Sequence, residues 1–214
     1  SIVLLQGGTT GTAVTGDVLL FESADEGEKP GSRPSIRPAV SALHNIERIQ
    51  PVDAKFVRMT IRRSSRSEVC LDELEVFSGK RNVALASAGT IPTASGTLPG
   101  YEIHKLKHVN DGKFGNPRSW ISNSSGESWV MLEFPDVERI DRIEWARDRD
   151  GRYSDRVAVD YVFEASLDGS SWRTVASSGD RAPFSEQATS EPSYDFASAH
   201  KDRAALGRKW LADL

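Results

Sequence analysis

Two short stretches hold most of the side chains able to do chemistry. In the first, NDGKFGNPRSW (residues 110–120), Asn110, Asp111, Asn116 and Ser119 offer hard oxygen donors, and Gly112 and Gly115 let backbone carbonyls turn inward. Oxygen donors of this kind suit calcium better than zinc or iron. The other reading of the same residues is an Asx turn with no ion in it. In the second stretch, WARDRDGRYSDR (residues 145–156), four arginines, three aspartates and a tyrosine crowd one loop. Arginine and aspartate held close together hydrogen-bond vicinal sugar hydroxyls, a tyrosine ring offers a stacking face, and arginine also takes sulfate or carboxylate bidentately. A solvated, self-neutralising charged turn is the competing reading. His104 and His108 stand four apart but lack a third ligand motif such as H-E-x-x-H, so zinc is not expected and surface or supporting roles are.

The elements that must hold these loops read as strands. Trp129-Val130-Met131-Leu132-Glu133-Phe134 is mostly apolar and Ile140-Asp141-Arg142-Ile143-Glu144-Trp145 alternates with period two, which predicts two successive strands in one sheet. Residues 52–61 and 71–77 alternate as well, as does 157–166, which runs into an Asp168-Gly169 hairpin turn and a strand over 171–176. Short apolar runs at 1–5 and 17–21 add strand signals, and residues 24–38, with Pro30, Pro34 and Pro38, read as an exposed loop. The spacing predicts an all-β sandwich or barrel over residues 1–176, followed by an irregular tail over 177–214 that ends in a short helix carrying Ala204, Leu206, Trp210 and Leu214. Trp120, Trp129, Trp145 and Trp172 fall on or beside strands and read as packing groups.

Composition narrows the function classes. With 214 residues the chain buries roughly 70% of its unfolded surface and needs no metal or disulfide merely to fold. Its 27 basic and 31 acidic residues are interspersed, so no basic face for nucleic acid is expected. Cys70 is the sole cysteine, set in an apolar run, and reads as a buried thiol. No segment is long and apolar enough for a transmembrane helix. The chain starts at Ser1 and reads as a piece of a larger multidomain protein. There is no Gly-x-Ser-x-Gly elbow, P-loop or dinucleotide fingerprint.

Five motifs in order, Arg81-Asn82-Val83-Ala84-Leu85-Ala86-Ser87, the Asn110-Asp111-Gly112 turn leading to Trp120, the 129–134 strand, Ile140-Asp141-Arg142-Ile143, and Phe163-Glu164-Ala165-Ser166-Leu167-Asp168-Gly169-Ser170-Ser171-Trp172, resemble the discoidin family. This is the coagulation factor V/VIII type C module, related to family-32 carbohydrate-binding modules and galactose-binding-like jelly rolls. The strands that close that family's fold resemble residues 54–61 and 71–77, which here precede its first strand. The resemblance therefore implies a discoidin-like jelly-roll sandwich, circularly permuted at Ser78-Gly79-Lys80, or else two partial domains meeting there. A half-domain leaves an open edge and an uncovered apolar face, which favours the permuted single sandwich.

The resemblance implies a structural calcium held by Asp111, the Lys113 carbonyl, Asn116, Ser119 and Glu73, although the family's Thr two residues before the Trp is Arg118 here. It also implies a glycan or polysaccharide partner bound at the loop end by Arg147, Asp148, Arg149, Arg152, Tyr153, Arg156 and Asn123. Arg147 and Arg156 stand nearest the arginine pair of fucose-binding members, but Ser122 and Asn123 occupy the place of their contacting histidine, so fucose specificity does not follow. The expected protein is a non-catalytic carbohydrate-binding module of a bacterial-type secreted, cell-surface or periplasmic protein. An adhesion or spacer module and a polysaccharide-active enzyme are the rival readings.

Overall fold

Two long strands carry the architecture. The computed structural model describes residues 37–184, and the expected strands at 1–5 and 17–21 and the C-terminal helix lie outside the described residues. β1 (Asn45–Ser64) pairs antiparallel with the later 19-residue strand Ser128–Ala146 along almost its whole length. In β1 the buried residues Val57, Met59 and Ile61 alternate with more exposed Arg58, Thr60 and Arg62, as a half-buried strand requires.

Between them lie β2 (Cys70–Leu71), β3 (Glu73–Ser78), β4 (Arg81–Asn82), β5 (Ile91–Ala94) and β6 (Trp120–Ile121). The long partner strand is β7, and β8 (Ala158–Ser166) and β9 (Arg173–Ser177) follow it. One seven-stranded sheet runs β4-β3-β7-β1-β8-β9, with β5 also on β7. β1 and β3, from before residue 81, thus share a sheet with β7 to β9 from after it, and Gly79 and Lys80 form the turn from β3 into β4.

The expected pair of strands at 129–134 and 140–145 is instead the single strand β7. It bends without reversing, because the ladder with β1 slips twice. Arg48 pairs with Arg142 and Val52 with Ile140, while Ala54 pairs with Glu138 and Phe56 with Glu133. The extra residues include Pro51 on β1 and Pro135 on β7, which cannot donate to a ladder and so sit where pairing breaks. The first half of β7 joins β5, the second half of β1, β8 and β9, whereas its second half joins the first half of β1 and β3. The sheet therefore doubles over on itself as a sandwich. Val57, Met59, Ile61, Val130, Leu132 and Phe163 from one layer share a core with Leu74, Val76, Ile143 and Trp145 from the other. Across that core the Trp145 and Tyr161 rings meet edge to face, centroids 5.1 Å apart.

The predicted strand at 81–87 shrinks to Arg81–Asn82, followed by a 3-10 turn over Ala86–Ala88. Trp120 and Trp145 are buried packing groups, but Trp172 lies at the surface edge with the Arg58 guanidinium 4.1 Å from its ring centre. No helix among the described residues is long and apolar enough to cross a membrane.

Candidate functional site

The loops after β7, before β6 and after β5 are tied together by buried polar bonds. The Arg147 and Asp148 amides both donate to the Ala42 carbonyl, at 2.9 and 3.0 Å, so the chain leaving β7 is anchored before it turns. Asp148 is fully buried and organises the loop. Its Oδ1 accepts the Asn116 N–H at 3.1 Å, and its Oδ2 accepts the Arg152 and Tyr153 N–H groups at 2.9 Å each. Gly151 closes this turn at φ +74°, and its N–H donates to the Asp148 carbonyl at 3.0 Å.

The arginines of the loop divide into two kinds. Arg147 has a side chain only 3% exposed and donates Nε to the Asp155 carbonyl, Nη2 to Asp155 Oδ1 and Nη1 to Asn116 Oδ1, at 2.8 to 2.9 Å. Arg149 pairs with Glu75, and its guanidinium lies 4.2 Å from the Phe114 ring centre. Arg156, the one non-glycine described residue at positive φ (57°), pairs with Glu68 and reaches Ser67 Oγ at 2.9 Å. These three serve as internal framework. Arg152, by contrast, is exposed and forms no ion pair among the described residues. Tyr153 is 48% exposed with its ring over the Arg147 guanidinium, 5.0 Å from centroid to carbon. Asn123 is also exposed, on a separate loop whose amide packs against Gly96.

Three groups in this neighbourhood escape a reading by motif. Phe114, 43% exposed, stands beside Gly115, whose φ of +94° and N–H bond to Asp72 Oδ2 at 3.0 Å fix the turn. His104 is buried with Nδ1 2.8 Å from Ser119 Oγ and its ring 5.9 Å from that of exposed Tyr101. Burial, with Arg147 and Arg156 nearby, lowers its pKa. Asp72, buried, accepts both the Gly115 and Arg149 amides on Oδ2, at 3.0 and 2.7 Å. An exposed Phe or Tyr between glycines and charged residues was the available signal for Phe114. Nothing in the local sequence marks Asp72 or His104 as neighbours of the arginine loop.

The five candidate calcium ligands are only partly assembled. Glu73 and Asp111 meet at one turn, where Gly112, at φ +75°, donates its N–H to Glu73 Oε1 at 2.9 Å. Glu73 Oε2 and Asn110 Oδ1 are buried without a hydrogen-bond partner among the described residues. Burial, with the carboxylates of Asp111, Glu75 and Asp72 adding to it, pushes the Glu73 carboxyl up to about 8. Asp111, however, is fully engaged. Its Oδ1 accepts the Lys113 N–H at 3.0 Å, while Oδ2 accepts Arg118 and lies 3.0 Å from His108 Nδ1. Asn116 turns its side-chain oxygen to Arg147, and Ser119 Oγ is taken by His104 and by its own bond to the Asn116 carbonyl at 2.9 Å. Six to eight converging oxygens are what calcium needs. As arranged, these side chains do not fit it.

A hollow of about 480 Å³ opens elsewhere, beside Arg37, Ile46, Glu47, Val175 and Asp180, and shares no residue with these loops. Arg37 is closed on Glu47 and Asp180 and neighbouring Arg181 on Glu47, while exposed Arg48 also lines the hollow. No protein-family model matches the chain, and no curated protein or solved structure matches it either.

Proposed function

We propose that this chain is a non-catalytic carbohydrate-binding module that takes a glycan at the 147–156 loop, as part of a larger secreted protein. The observation that carries the reading is the pairing of an exposed Tyr153 ring, braced on the Arg147 guanidinium, with the neighbouring Arg152, which forms no ion pair among the described residues. Both backbone amides are pinned by the one buried carboxylate of Asp148, so the two side chains start from a rigid base. A sugar ring presents a C–H face to an aromatic and hydroxyls at its edge to a guanidinium. Phe114, across Gly115 from Asp150, extends the apolar surface of the same loop end. Recognition of this type is shallow and depends on few groups.

The discoidin resemblance supports the same class of partner. Within it, Arg147, Asp148, Arg149 and Arg156 hold the loop and Arg152 and Tyr153 make contact, while Asn123 belongs to a neighbouring loop. A protein ligand seated on Tyr101, Ile103, Phe114 and Tyr153 is the second reading, favoured by the exposure of all four. Affinity electrophoresis through gels containing soluble polysaccharides tests the assignment. Retardation of the wild type by at least one polysaccharide, lost in Tyr153→Ala and Arg152→Ala, is expected. Retardation untouched by both substitutions would place the site elsewhere, and new reducing ends in the gel would make the chain an enzyme.

A further inference from the structure

We propose that Arg118 is the resident cation of the 110–119 corner, its guanidinium doing the charge-neutralising work that the discoidin resemblance assigns to a calcium ion. The inference is independent of the glycan reading. It begins from a substitution legible in the chain, an arginine where the resemblance expects a threonine, on the loop that leads to Trp120. Asp111 is a half-buried carboxylate on the turn that Gly112 ties to Glu73, and a carboxylate this far from water calls for a positive partner. Arg118 supplies it directly on Asp111 Oδ2.

His108 supports the same carboxylate from the other side. Its Nδ1 faces Asp111 Oδ2 at 3.0 Å and its Nε2 faces the Glu102 carbonyl at 3.3 Å, two acceptors and no donor. With Lys113 on Oδ1, each Asp111 oxygen has a donor of its own. An incoming divalent ion would have to displace these donors while facing a like-charged guanidinium at contact distance. Removal of Arg118 lifts the repulsion and one of the three donors on Asp111, leaving His108 and the Lys113 N–H in place. Asp111 Oδ2 loses its strongest donor, a threonine returns a hydroxyl at that place, and Glu73 Oε2, without a hydrogen-bond partner among the described residues, remains beside the turn.

The experiment is thermal unfolding of the wild type, Arg118→Thr and Arg118→Lys, each in EDTA and in millimolar calcium chloride. The wild type is expected to melt at the same temperature in both. Arg118→Thr is expected to melt about 3–6 °C lower in EDTA and to regain most of that loss with calcium, saturably. Arg118→Lys keeps a charge at the corner and is expected to stay indifferent to calcium. Saturable stabilisation of the wild type by calcium would overturn the proposal, as would an Arg118→Thr protein that melts like the wild type in EDTA or gains nothing from calcium. Should Arg118→Thr fail to fold, calorimetric titration of the wild type with calcium decides alone: heat of binding contradicts the proposal and its absence upholds it.

Discussion

Arg147→Ala should cost far more stability than any other arginine truncation in the 147–156 loop. The guanidinium is nearly sequestered and makes three bonds of 2.8 to 2.9 Å, two to Asp155 and one to the Asn116 side chain. Charge-assisted bonds are worth about 1.5–3 kcal/mol each, and removing one partner of a fully buried pair costs about 3–5 kcal/mol. Asp155 is 37% exposed, so water recovers part of what it loses, and the sum of three bonds overstates the effect. The Asn116 oxygen and the Asp155 carbonyl are left to find other donors, and the Tyr153 ring loses its support. A net loss of about 3 kcal/mol follows, which at a urea m-value of about 2 kcal/mol/M lowers the midpoint by about 1.5 M. Equilibrium urea unfolding followed by tryptophan fluorescence measures it. A midpoint within about 0.3 M of the wild type would refute the framework role, because truncation of a solvated surface arginine stays within about 0.5 kcal/mol.

Other substitutions separate structure from contact. Arg152→Ala and Tyr153→Ala should leave the urea midpoint within about 0.3 M of the wild type while abolishing glycan retention, a split that Arg147→Ala cannot show. Gly115→Ala should destabilise by about 1–2 kcal/mol, since its φ of +94° suits glycine and the new Cβ would lie 2.3 Å from Asp150 Oδ2; denaturant unfolding of Gly115→Ala with and without Asp150→Ala shows how much of the loss is steric. Cys70 is fully buried, and burial pushes its thiol up from 9.0 to about 11. The folded state therefore holds this proton longer than the unfolded chain, so its contribution to stability declines as pH rises above 9.0, and disulfide-exchange labelling at pH 8 should proceed only at the rate of opening.

The strands were legible because one face of each is buried. Val57, Met59 and Ile61, and Leu74 and Val76, announce their sides by period two, and Tyr161, Phe163 and Ala165 do so on β8. The continuity of β7 was not legible, since Pro135-Asp136 reads locally as a chain break and only the ladder with β1 on both sides of it, slipping between Ala54 and Phe56, turns it into a bend. The charged loop was visible as a cluster of residue types, but the division of labour within it was not. Arg147 and Arg152 are the same residue in similar company, and what separates them is burial, which depends on Asn116, 31 positions upstream of Arg147. Arg149 and Arg156 find their carboxylates at Glu75 and Glu68, 74 and 88 positions away, distances at which local spacing carries no information. The meeting of Glu73 with the Asp111 turn was anticipated only through a family resemblance, and the engagement of Asp111 by Arg118 and His108 came from the fold.

Isothermal titration of the best-retained oligosaccharide into the wild type and into the Arg152→Ala/Tyr153→Ala double variant tests the glycan site most directly. A saturable one-to-one isotherm for the wild type that vanishes in a double variant of unchanged urea midpoint is the predicted result. Equal affinity in the two proteins, or no binding heat from any glycan tested on the wild type, would contradict it.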